Sequence, residues 1–114
     1  MKIFKDEELT ILFDGKTIIW QGKGLYQYPS GKIDIFFDEV IPEIQAEGIT
    51  IHFEELTYLC SSAIHSIIKL FKKLNTAGIN TRVYYNKNSE WQRIAFKALG
   101  KLTLILKNIQ FVEE

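Results

Sequence analysis

The sequence predicts a single α/β domain on a mixed sheet, and three observations carry that prediction. Residues 9 to 13 and 17 to 21 are β-rich and flank Asp14-Gly15-Lys16, so they read as a hairpin closed by a glycine-containing turn. Beyond them, segments alternating with period two exchange with segments repeating at helical spacing. Crossovers through helices make successive strands parallel, so an antiparallel N-terminal hairpin continues into parallel central strands. The length of 114 residues and 46% hydrophobic content suit one domain, residues 1–114, with an ordinary core.

After the hairpin, Leu25 to Tyr28 reads as extended and ends at the turn signal Pro29-Ser30-Gly31. Ile33, Phe36, Phe37, Val40, Ile41 and Ile44 recur at three- and four-residue spacings, predicting a helix from Ile33 to Ala46 that stops at Gly48. Pro42 falls inside it. A proline there removes a backbone hydrogen bond at a cost of ~3 kcal/mol, so the helix is expected to kink or divide at that point.

Ile49, Ile51 and Phe53 alternate with Thr50, His52 and Glu54, predicting a half-buried strand. Ile64, Ile67, Ile68, Phe71 and Leu74 then mark a helix to about Asn75, stopped by Ala77-Gly78. Asn80 to Tyr85 reads as a strand, and Ser89 to Leu99 as a helix capped by Ser89 and ended by Gly100. Leu102 to Leu106 reads as a further strand, with residues 109 to 112 extending the sheet. The expected core includes Ile51, Phe53, Ile64, Ile67, Ile68, Phe71, Leu74, Val83 and Leu104.

Zero net charge conceals a division. Residues 1 to 57 carry 5 Lys+Arg against 11 Asp+Glu, net −6, and residues 58 to 114 carry 9 against 3, net +6. Lys69, Lys72 and Lys73 lie opposite the apolar stripe of their helix and are expected to face solvent. A nucleic-acid ligand calls for a more basic domain, so a protein partner with a complementary surface is expected instead.

No apolar run approaches the ~20 residues that span a bilayer, and Met1-Lys2-Ile3-Phe4-Lys5-Asp6-Glu7-Glu8 turns acidic where a signal peptide turns apolar. A cytoplasmic protein without membrane contact is expected. Cys60 is the single cysteine, so there is no internal disulfide, no CxxC metal or redox pair, and no cofactor or metal is expected.

Tyr58-Leu59-Cys60-Ser61-Ser62-Ala63-Ile64-His65 places two hydroxyls where a strand's exit meets a helix's first turn. Ser there caps backbone N–H groups, which is the plain structural reading, and the macrodipole there also favours negative charge. The same turn therefore suits a phosphate or a phosphorylatable serine. Cys60 as an enzymatic nucleophile lacks support, because the arginine of a phosphatase loop would stand six positions on and residue 66 is Ser. It reads better as a small buried hydrophobe. His52 reads as a sheet-surface residue and His65 as an exposed helix residue, neither as a catalytic base. Gly22-Lys23-Gly24 lacks the third glycine and the context of a dinucleotide loop. Trp20, Tyr26, Tyr28, Tyr84 and Tyr85 read as sheet packing.

The order hairpin, helix, strand, Ser-Ser junction, helix, strand, helix, strand resembles the STAS family, named for sulfate transporters and anti-sigma-factor antagonists. The likeness covers residues 9 to 107, with its local centre in Ile49 to Ala63, which looks like that family's strand, short acidic connector and Asp-Ser-Ser/Thr-Gly turn. Cys60 stands in place of the Asp, and Ala63 in place of the Gly. A related group of small bacterial regulatory phosphoproteins carries a Tyr-x-x-Thr-Ser-Ser turn without the Asp, similar to Tyr58 to Ser62, and a Tyr-Pro turn like Tyr28-Pro29.

The resemblance implies a STAS-like domain with helices packed mainly on one face. It also implies a non-enzymatic bacterial regulator in a partner-switching signal-transduction pathway, an anti-sigma-factor-antagonist type of phosphoprotein. By this resemblance Ser61 is the phosphorylated residue, with Ser62 as the alternative. Cys60, Ser61, Ser62, His65, Lys69 and Lys72 form the docking surface, and the partners are a serine kinase or anti-sigma factor and a phosphatase. The alternative implied role is an anion- or nucleotide-sensing or scaffold STAS domain that is not phosphorylated.

Overall fold

A computed structural model describes residues 1–6, 8–24, 32–45, 47–101 and 105–113, without the side chains of Ser61, Ser62 and Glu113. Along the chain stand β1 (Lys2–Asp6), β2 (Leu9–Phe13), β3 (Thr17–Gly24), α1 (Lys32–Val40), a 3-10 helix (Ile41–Glu43) and β4 (Ile49–Leu59). Then follow α2 (Ser61–Thr76), β5 (Thr81–Tyr85), α3 (Glu90–Leu99) and β6 (Ile109–Glu113). The strands form one sheet in chain order, β1 to β6. The pairs β1–β2 and β2–β3 are antiparallel, and β3–β4, β4–β5 and β5–β6 are parallel, so the sheet is mixed in the way the sequence predicts.

Asp14 makes the predicted hairpin turn. Its Oδ1 accepts from the backbone N–H of Lys16 at 3.0 Å and of Thr17 at 2.8 Å, a local bond that Asp offers readily, while Gly15 takes φ +100°. Val40 ends α1, and Pro42 stands in the short 3-10 helix that follows, so the predicted helix divides at its proline. The expected strand at Leu25–Tyr28, its Pro29-Ser30-Gly31 turn, Ala46 and the 102–104 part of the expected strand at Leu102–Leu106 lie outside the described residues. Ile105 and Leu106 are not in a strand, and the last strand of the sheet is β6. β1 is an added edge strand, not read from the sequence, whose Phe4 lies opposite Ile11.

One face of the sheet carries the core. Leu9, Ile11 and Phe13 of β2, Ile18 and Trp20 of β3, Ile51 and Phe53 of β4 and Val83 of β5 bury there with Phe37 of α1, Ile67 and Phe71 of α2 and Phe96 of α3. All three helices thus contribute to the same face. Aromatic rings run through it, with centroids 5.7 Å apart for Trp20–Phe37, 5.3 Å for Trp20–Phe53 and 4.7 Å for Phe53–Phe96. Of the expected core, Ile51, Phe53, Ile67, Phe71, Leu74 and Val83 are buried. Ile64 and Ile68 are only half-buried, because they sit at the margin of α2's apolar stripe, and Leu104 lies outside the described residues.

The opposite face has no helix on it among the described residues. There the register aligns Leu12, Ile19, His52, Tyr84 and Val112 across the sheet. His52 stacks on Tyr84 with centroids 4.8 Å apart and 7° between planes, and its Nδ1 lies 3.0 Å from Glu54 Oε1, which places it on the sheet surface as expected.

Candidate functional site

β4 is longer than the alternation suggests, and that length builds the candidate site. Its pairing with β3 shifts twice: Ile19 and Gln21 oppose His52 and Glu55, and Gly22 and Lys23 oppose Leu56 and Tyr58. Each shift inserts one extra residue on β4, a β-bulge, and re-aims the side chains after it. Core positions therefore fall at Phe53, Leu56 and Leu59, spaced by three. The segment that resembles a short acidic connector is thus bulged strand carrying Glu54 and Glu55 on the outer side, a correction to the expected end at Phe53.

Pairing with β5 ends at His52–Tyr84, so this extension lacks a backbone neighbour on that side. Gln92 of α3 takes that place. Fully buried, it donates through Nε2 to the carbonyls of Phe53 and Leu56, both at 2.8 Å, and accepts from the backbone N–H of Asn86 at 2.9 Å. A buried amide so satisfied pins the end of β4 to the start of α3.

The strand then turns into α2. Cys60 is the N-cap in extended conformation, with φ −80° and ψ 167°, and its carbonyl accepts the N–H of Ile64 at 3.1 Å. The cap position thus falls on Cys60, not on either serine, and no Cys60 side-chain bond caps the helix. Position 61 is the first helical residue and 62 the second, where N–H groups have no partner within the helix. The side chains of Ser61 and Ser62 are outside the description. Cys60 is half-buried against the core, and Tyr58, 49% exposed, stands beside the turn.

Positions 61, 65, 69 and 72 fall within about 80° of arc on α2 and over about 16 Å of its length. His65, Lys69 and Lys72 on that stripe are exposed, so these three of the expected docking residues share one face, while Cys60 is half-buried against the core and position 62 lies off the stripe. The structure also modifies one expectation. Lys69 Nζ pairs with Asp34 Oδ2 at 3.2 Å and Lys73 Nζ with Asp38 Oδ1 at 2.6 Å, so two of the three lysines bind α1. These pairs join the acidic first half of the chain to the basic second half. Lys72 forms no ion pair among the described residues.

At the opposite pole, the amino ends of β3, β4, β5 and β6 border a half-open cavity of about 730 Å³, whose Lys16, Glu47, Arg82, Lys107 and Gln110 are exposed. Lys16, Thr17, Glu47, Thr50, Arg82, Lys107 and Gln110 are among its lining residues. Gly48 enters β4 here with φ +99°, and a Cβ on it would collide with the carbonyl oxygen of Asn80, so this close approach requires glycine. None of these lining residues stands out in the sequence. They come together only through strand order and register.

Among the described residues no group of His, Cys, Asp and Glu is arranged to hold a metal ion, and no helix is long and apolar enough to cross a membrane. No family model and no curated protein matches the chain.

Proposed function

We propose that this chain is a non-enzymatic, cytoplasmic regulatory module of the anti-sigma-factor-antagonist type, switched by phosphorylation of Ser61. The observation that supports it is the placement of position 61 at the first turn of α2, on the stripe shared with His65, Lys69 and Lys72. The likeness of Tyr58 to Ser62 to the phosphorylated turn of STAS-type regulators supplies the chemistry. A serine kinase transfers the γ-phosphoryl group of ATP to the serine hydroxyl, releasing ADP and a proton. A phosphatase returns the serine and inorganic phosphate.

Phosphate adds about −1.5 to −2 charge and three acceptor oxygens. At a helix N-terminus that charge is stabilised by ~0.3–1 kcal/mol, so the domain keeps its fold while the docking stripe changes sign at one end. An acidic partner surface attracted by Lys72 and Lys69 is then repelled.

Incubation with ATP and a cognate serine kinase from the same genome, followed by phosphosite mapping by mass spectrometry, tests the reading. Incorporation in the parent and in Ser62→Ala, with loss in Ser61→Ala, is the expected result. Ser61→Asp should fold normally and bind the partner more weakly. Incorporation that persists in Ser61→Ala and disappears in Ser62→Ala moves the site by one residue. No incorporation in any form leaves a scaffold or anion-sensing role, with Cys60 in the place of the usual Asp as the reason.

A further inference from the structure

We infer that the cavity at the amino ends of the parallel strands binds a small phosphorylated polyol, of the sugar-phosphate class, through Lys16, Arg82 and Lys107. The three side chains come from separate parts of the chain: Lys16 precedes β3, Arg82 belongs to β5 and Lys107 precedes β6. Glu47 is the one carboxylate among the lining residues. Among the described residues elsewhere, Lys2, Lys32, Lys69 and Lys73 are paired, with Glu43, Asp6, Asp34 and Asp38, while others such as Lys72 are not. The three cavity cations make no ion pair among the described residues. Like charges gathered around a concavity focus a positive potential into it, and a bound anion relieves their mutual repulsion.

Register fixes the arrangement. Thr17 lies opposite Thr50, Thr50 beside Arg82, and Arg82 beside Gln110, so hydroxyl, hydroxyl, guanidinium and amide form one row across four strands. At about 4.8 Å per strand this row spans roughly 14 Å, and the cavity volume falls within the ~300–1,000 Å³ of small-molecule sites. A guanidinium offers paired donors that match phosphate oxygens. Thr and Gln side chains both donate and accept, as the hydroxyls of a polyol do. The lining contains no aromatic ring on which a nucleobase would stack. A chain of zero net charge also does not resemble a nucleic-acid-binding domain.

The test is a titration of the intact chain with glucose 6-phosphate, glucose and inorganic phosphate at about 0.15 M ionic strength, read by calorimetry and by amide shifts. Saturable binding of glucose 6-phosphate is expected, with shifts at Thr50, Arg82 and Gln110, weaker binding of inorganic phosphate and none of glucose. Arg82→Gln should weaken it about tenfold through loss of a charge-assisted pair, and Lys107→Gln should weaken it independently. Lys72→Gln, at the other pole, should leave it unchanged. Each variant is first checked for a parental urea midpoint. Inorganic phosphate binding as tightly as glucose 6-phosphate would overturn the polyol assignment. Undiminished binding in both Arg82→Gln and Lys107→Gln, or a linear response without saturation, would overturn the site.

Discussion

The side-chain amide of Gln92 lies 2.8 Å from the carbonyl oxygen of Leu56, and through this bond a helix residue does what a neighbouring strand would do. β4 outruns β5 by most of its bulged half, and Gln92 also ties that half to Phe53 and, through its oxygen, to Asn86 at the end of β5. Gln92→Leu keeps the bulk and removes all three bonds. Each buried group left without a partner costs about 1–3 kcal/mol, so a loss of ~2–4 kcal/mol is expected by urea denaturation. Hydrogen exchange should also speed up selectively at residues 56 to 62. A uniform change across the sheet would separate Gln92 from the turn at Cys60.

Burial ranks the α2 substitutions. Ile67→Ala removes a side chain with no exposure and should cost about 2–5 kcal/mol. Ile64→Ala and Ile68→Ala, at half-buried positions, should each cost clearly less in the same measurement. Equal losses at all three positions would mean that α2 is rotated from the orientation described.

The pairs Lys69–Asp34 and Lys73–Asp38 are exposed, with side-chain exposures of 63%/18% and 40%/59%. Double-mutant cycles on such pairs should give coupling of about 0.2–1 kcal/mol, falling with added salt. Lys72→Glu should leave the denaturation midpoint almost unchanged and lower the association rate with an acidic partner. A midpoint that falls steeply for Lys72→Glu would assign it to the fold.

Gly48→Ala should destabilise by at least ~1–2 kcal/mol, because its φ of +99° disfavours any Cβ and the Asn80 carbonyl occupies the space beside it. Gly78→Ala makes the control. It has φ +73° with no atom within 4 Å of the added carbon, so it carries the conformational penalty without the collision and should lose less.

Much of this architecture was legible from residue order. The hairpin turn stood in Asp14-Gly15, the broken helix in Pro42, α2 in its apolar spacing and α3 in its bounding Ser89 and Gly100, because each signal is local. The end of β4 was hidden because two bulges change its repeat from two to three, and alternation is the only signal such a strand offers. β1 was hidden by Lys2, Lys5 and Asp6, which suit an edge strand and dilute its pattern. The turn at Ser61 was readable because strand and helix periods meet there. The cavity was not, since Lys16, Arg82 and Lys107 meet through the register of separate strands.

Strand order matching chain order has a consequence for how this molecule comes into being. Each strand joins the neighbour made just before it, so no strand must wait for a distant later segment to complete its pairing. The two antiparallel pairings close short loops, whereas each parallel pairing joins residues roughly 30 positions apart and so costs more entropy and forms more slowly. During synthesis the sheet can grow by one strand at a time as the chain leaves the ribosome, each newly added strand becoming the template for the next.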